Sequence, residues 1–136
     1  RHRDVTSDMQ AFWSLLKTIN PGARMILTVS PVPLIATATD QHVLPATIHS
    51  KSVLRAAAGE LSADNADIWY FPSYEIIAAH PSRGMFFDPD LRTVNAMGVE
   101  TVMSHFFLGS TFGTTIAEGS HDDAGIICDE EAIETT

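Results

Sequence analysis

Cysteine is nearly absent: Cys128 is the only one in 136 residues. A single thiol excludes an internal disulfide and a zinc site built on cysteines. Positive charge is also scarce. Lys and Arg number 8 against 17 Asp and Glu, a formal net charge of −9. Such a chain repels the phosphates of nucleic acid and the surface of an anionic membrane, so neither is expected as a partner. No apolar run reaches the roughly 18 residues that suggest a membrane-spanning helix. The 6 histidines are scattered, with neither His-x-x-x-His nor His-x-His among them. No metal and no other cofactor is read from that spacing. The opening Arg1-His2-Arg3-Asp4 lacks an initiator Met and the apolar segment of a secretory signal. It reads as a piece of something longer, and a cytoplasmic location is expected.

What is present is ordinary globular composition, 45% apolar and 18% charged. The length suits one domain at most. Ser7-Asp8-Met9-Gln10 fits a capping box. Met9, Phe12, Trp13, Leu16 and Ile19 then recur at helical spacing, so a helix is predicted over 7–19. Asn20-Pro21-Gly22 ends it. Met25 to Ser30 is a short, almost wholly apolar run, as in a strand buried on both faces. A connection over 31–49 carries Pro31, Pro33 and Pro45. A second helix is predicted over 50–62, with Val53, Leu54, Ala57, Ala58 and Leu61 on one face. Asp67 to Phe71 reads as a second strand closed by Pro72. A last helix over 95–108 points Val99, Val102, Met103 and Phe106 inward. Residues 109–136 form an acidic stretch expected to be disordered; His121 to Thr136 holds six carboxylates and no Lys or Arg.

Strand, helix, strand, helix is an α/β pattern with parallel pairing. Two strands make a marginal sheet, and parallel sheets are covered on both faces. The fold expected over 1–108 is therefore part of an α/β domain whose N-terminal strands are missing. Sites in open α/β sheets lie beyond the carboxyl ends of the strands. The first strand delivers Ser30 to that edge and the second delivers Ser73, Tyr74 and Glu75. Ser50 and Lys51 are expected to open the second helix there. Lys51 and Arg55, at i and i+4, are placed to meet an anionic group. Ser30, Ser50, Lys51, Ser73 and Tyr74 are thus the candidate substrate-binding residues. The competing reading of the hydroxyls is turn and cap chemistry, and Tyr74 with Glu75 would anchor the loop.

Four strings carry a resemblance. They are Thr28-Val29-Ser30-Pro31-Val32-Pro33-Leu34, Ser50-Lys51-Ser52-Val53-Leu54-Arg55, Tyr70-Phe71-Pro72-Ser73-Tyr74-Glu75-Ile76 and Asp88-Pro89-Asp90-Leu91-Arg92-Thr93-Val94. In this order they resemble the C-terminal half of the GSCFA domain family, which is itself similar to the SGNH/GDSL hydrolases. The resemblance implies a partial flavodoxin-like, three-layer α/β fold and acyl transfer by a Ser-His-Asp system. It places the nucleophilic Ser in an N-terminal half of the same domain, which becomes an expected partner.

The resemblance also implies an Asp-x-x-His string before the last helix, where this chain reads Asp90-Leu91-Arg92-Thr93. Asp90 is the candidate orienting acid. Thr93 stands where the base would be, and a threonine cannot act as a general base near pH 7. His80 and His49 are the candidate displaced bases. The leading expectation is the C-terminal part of an SGNH-like esterase or acyl-transfer domain acting on an O-acylated small molecule or glycan. The fragment alone is expected to be inactive. The alternative is a non-catalytic binding module or structural half-domain that has lost the catalytic His.

Overall fold

A computed structural model describes residues 1–115 of the chain, and the side chains of 1–108. Helix α1 spans His2–Ile19 and starts well before Ser7, which lies exposed within it rather than capping it. Val5 sits four residues before Met9, so the packed stripe extends backward and carries the helix past the local cap signal. Trp13 is buried, whereas Phe12 and Ile19, expected inward, face out. The helix end is tied down by Lys17. Its ammonium donates to the carbonyls of Pro21 and Ala23 at 2.8 and 2.9 Å and to Asp67 Oδ2 at 2.6 Å.

Strand β1 is Met25–Leu27, helix α2 is Val43–Asp64, and strand β2 is Ile68–Tyr70. The strands pair in parallel, with Met25 opposite Ile68 and Leu27 opposite Tyr70. This is the adjacent parallel pair that the two apolar runs predict, with α2 as the crossover. The start of α2 differs from the expectation: it begins at Val43, not Ser50. Pro45 falls in its first turn, where the missing N–H has no helical partner to lose. His42 caps it, accepting the Leu44 amide at Nδ1 at 3.2 Å. The connection is therefore 31–42, and Ser50 and Lys51 lie inside the helix rather than at its entry.

Side chains alternate across the sheet. Leu27, Val29 and Ile68 face α1 and α2, where Trp13, Ala57, Ala58 and Leu61 complete a buried cluster. Ile26, Thr28, Trp69 and Phe71 occupy the opposite face. Phe71 meets Phe106 of the last helix there, ring centroids 5.1 Å apart and planes at 83°. That cover is partial: Ile26 is 54% exposed and Trp69 46%.

After β2 the chain turns into a short helix α3, Ser73–Ala78, and a 3-10 turn, His80–Ser82. Neither was expected, because one turn or two is too short to show a period. Helix α4 spans Ala96–Thr115, beyond the predicted end at Leu108. Asn95 precedes it and accepts the Gly98 amide at 2.9 Å while donating to the Met85 carbonyl at 2.9 Å. Gly98 leaves little room at this crossing. A Cβ there would lie 2.9 Å from Val94 Cγ1 and 3.1 Å from the Phe86 carbonyl oxygen. The expected acidic stretch lies, from residue 116 onward, outside the described residues.

Candidate functional site

The loop before α4 is organised by Asp90. Its Oδ1 accepts the amides of Arg92 and Thr93 at 2.9 and 2.8 Å. Its Oδ2 accepts the Thr93 hydroxyl at 2.6 Å. Both carboxylate oxygens are thus engaged, by three bonds from Arg92 and Thr93. The Thr93 hydroxyl, with the Thr93 and Arg92 amides, holds the Asp90 carboxyl below the usual carboxylate range. Leu91 adopts φ 54°, the left-handed conformation that lets the turn close so tightly. Arg92 donates from Nε to the Pro33 carbonyl at 3.4 Å, joining this loop to the segment after β1.

The hydroxyls at the carboxyl edge serve different ends. Ser73 is buried; it donates to the Val29 carbonyl at 3.1 Å and lies 2.6 Å from Thr28 Oγ1. It fastens the start of α3 to the end of β1. Ser30 is exposed, and its oxygen accepts the Val32 amide at 3.3 Å, which leaves its hydroxyl proton free for another acceptor. Ser50 is half-buried within α2. His49 is exposed on α2 and His80 is exposed at the start of the 3-10 turn. No described hydrogen bond joins either histidine to Asp90.

Loop anchoring falls to Glu75, but its phenol partner is Tyr70 rather than Tyr74. Glu75 Oε1 accepts from Arg55 Nε at 2.5 Å and Oε2 accepts the Tyr70 hydroxyl at 2.8 Å. The Arg55 guanidinium lies 4.0 Å from the Tyr70 ring centroid. Burial alone would raise the Glu75 carboxyl, but the bonds from Tyr70 and Arg55 outweigh it and hold it low. Burial, reinforced by Glu75, pushes the Tyr70 phenol well above its ordinary range. Arg55 therefore has its anion inside the fold, whereas Lys51 has none among the described residues. The Arg55–Tyr70–Glu75 cluster links two of the sequence strings but has no motif spacing, so only the parallel register that sets α2 over β2 reveals it.

Two cavities adjoin the edge. One, about 430 Å³, lies between the open sheet face, α3 and α4, walled by Thr28, Phe71, Ile77, Val99, Val102 and Phe106. Val99 and Met103, expected to be buried, border this open apolar groove instead. The other, about 210 Å³, lies between α1, the end of β1 and α2, and contains Ser30 and Lys51. Among the described residues no group of three metal-ligating side chains gathers. No described helix is long and apolar enough to cross a membrane.

Parallel strands joined by a crossover helix, with polar loops converging at their carboxyl ends, define an α/β domain with its candidate site at that edge. The chain belongs to the GSCFA family, whose model matches residues 1–106. No curated protein and no solved structure matches it.

Proposed function

We propose that residues 1–108 form the C-terminal part of an SGNH-like, flavodoxin-type domain that performs ester hydrolysis or acyl transfer on an O-acylated small molecule or glycan. The observation that carries this reading is membership of the GSCFA family. The Asp90 loop adds support: it holds an ionised carboxylate beside the carboxyl edge, immediately before the last helix. In such a reaction a serine hydroxyl attacks the ester carbonyl, a base takes its proton, and the alcohol leaves. The nucleophile would come from an N-terminal half of the same domain. The exposed Ile26 and Trp69 supply apolar surface for that half to cover.

A second reading, a binding module without catalysis, is favoured by one contact. By the family resemblance Thr93 falls where the base would be, and its hydroxyl is bonded to the carboxylate that would orient a histidine. The two readings separate in an esterase assay with p-nitrophenyl acetate. In the full-length protein, activity that rises on Thr93→His supports the acyl-transfer frame. No activity in wild type or variant supports the binding module.

A further inference from the structure

Lys51 is 7% exposed, a buried residue that carries an ionisable group. No hydrogen bond or ion pair to it exists among the described residues. Burial, with no counter-charge, lowers its pKa. Its stem is buried while its Nζ keeps contact with water, so the ammonium is a donor, unpaired among the described residues, at a largely apolar surface where an anion gains a charge-assisted bond. Arg55, one turn further along the same helix, shows the contrast, since Glu75 neutralises it within the fold.

The surroundings define what that anion looks like. Lys51 borders the 210 Å³ cavity together with Ser30, Val5, Met9 and Leu54. Ser30 retains a hydroxyl proton to donate, because its contact with Val32 uses only the oxygen. One cation and one hydroxyl match the two oxygens of a single carboxylate. A phosphate dianion would want more positive charge than one lysine supplies. The remaining walls are mostly hydrocarbon, and the volume admits only a small body, below the usual range for drug-sized ligands.

We propose that Lys51 and Ser30 bind the carboxylate of a small monocarboxylic acid, whose short hydrocarbon chain rests against Val5, Met9 and Leu54. The site lies on the α1 and α2 side of the sheet, separate from the Asp90 loop, and the inference does not depend on the acyl-transfer reading.

The test is titration of the full-length protein with butyrate, followed by calorimetry and by NMR of ¹³C-labelled lysine. Methyl butyrate, n-butylamine and inorganic phosphate serve as comparison probes. Butyrate is expected to bind and to shift the Lys51 ε-methylene signal, while the three comparison probes do not. Lys51→Met keeps the aliphatic stem and removes the charge; it is expected to weaken butyrate at least about tenfold, as loss of a charge-assisted bond should. Should that variant not fold, the wild-type NMR shift still decides. Absence of butyrate binding overturns the proposal. So does equal binding of methyl butyrate, preference for phosphate, or undiminished binding by a folded Lys51→Met protein.

Discussion

Thr93 donates its hydroxyl to Asp90 at 2.6 Å; under the proposed acyl-transfer reading, this bond fills the place of the histidine. The carboxylate is kept ionised by the hydroxyl first and by the two amides second. Thr93→Val removes the hydroxyl bond and leaves the backbone bonds. The Asp90 pKa is expected to rise in the variant, toward the ordinary value of about 3.9. A carboxyl ¹³C titration checks this, and an unchanged or lower midpoint would contradict the assigned cause.

The Arg55–Tyr70–Glu75 cluster makes a second prediction. Tyr70→Phe removes one hydrogen bond to a charged acceptor; with the site partly open to solvent, the expected loss is about 1 kcal/mol in urea unfolding. Glu75 is depressed in the fold, so its contribution is present above the ordinary glutamate value of about 4.3. It is lost as pH falls through the folded pKa. The stability gap between wild type and Glu75→Gln should therefore narrow in acid. For Tyr70 the sign reverses: its folded pKa is raised, so its contribution is present below about pH 10 and fades above it. Ultraviolet titration should find one of the two tyrosines ionising late, and Glu75→Gln should bring it earlier.

Gly98 offers a test in which two effects have opposite sign. In an ordinary helix, Gly→Ala stabilises by about 1 kcal/mol. Here the new methyl meets Val94 and the Phe86 backbone at about van der Waals overlap. The crowding is expected to win, so Gly98→Ala should destabilise by about 1–2 kcal/mol. A raised melting temperature would show that α4 does not sit this close to the Phe86 segment. Leu61, buried among α1, α2 and the sheet, gives the reference: Leu61→Ala should cost about 2–4 kcal/mol.

The apolar face bearing Ile26 and Trp69 leads to a fourth expectation. The 136-residue chain alone should bind a hydrophobic dye and melt at low temperature or self-associate. Replacing Ile26 and Trp69 with Thr should reduce dye binding while leaving the α1–α2 side intact. A monomeric chain that excludes the dye would contradict the open-face reading.

The parallel pair and its crossover were legible because Met25–Leu27 and Ile68–Tyr70 are apolar, short and about forty residues apart. Boundaries were less so. The capping box at Ser7 lost to a packed stripe reaching back to Val5, and Pro45 reads as loop although it sits in the first turn of α2. Of the candidate site, the Asp90-x-x-Thr93 string was visible, but not that Thr93 would consume the carboxylate. Ser73 looked like a site hydroxyl because it ends a strand; its bond to Val29, far away in sequence, exists only after the strands pair. Lys51 and Arg55 read alike on the helix, and only the fold separates a cation neutralised by Glu75 from one with no counter-charge among the described residues.

The central claim is that Asp90 and Thr93 stand at the acid and base positions of an acyl-transfer site. It is tested most directly by kcat/KM for p-nitrophenyl acetate in the full-length protein, with and without Thr93→His. Wild-type activity is expected to be weak. The variant is expected to gain toward the roughly 10²–10⁴-fold that a general base contributes. High wild-type activity, unchanged by Thr93→His and abolished by His80→Ala or His49→Ala, would contradict it.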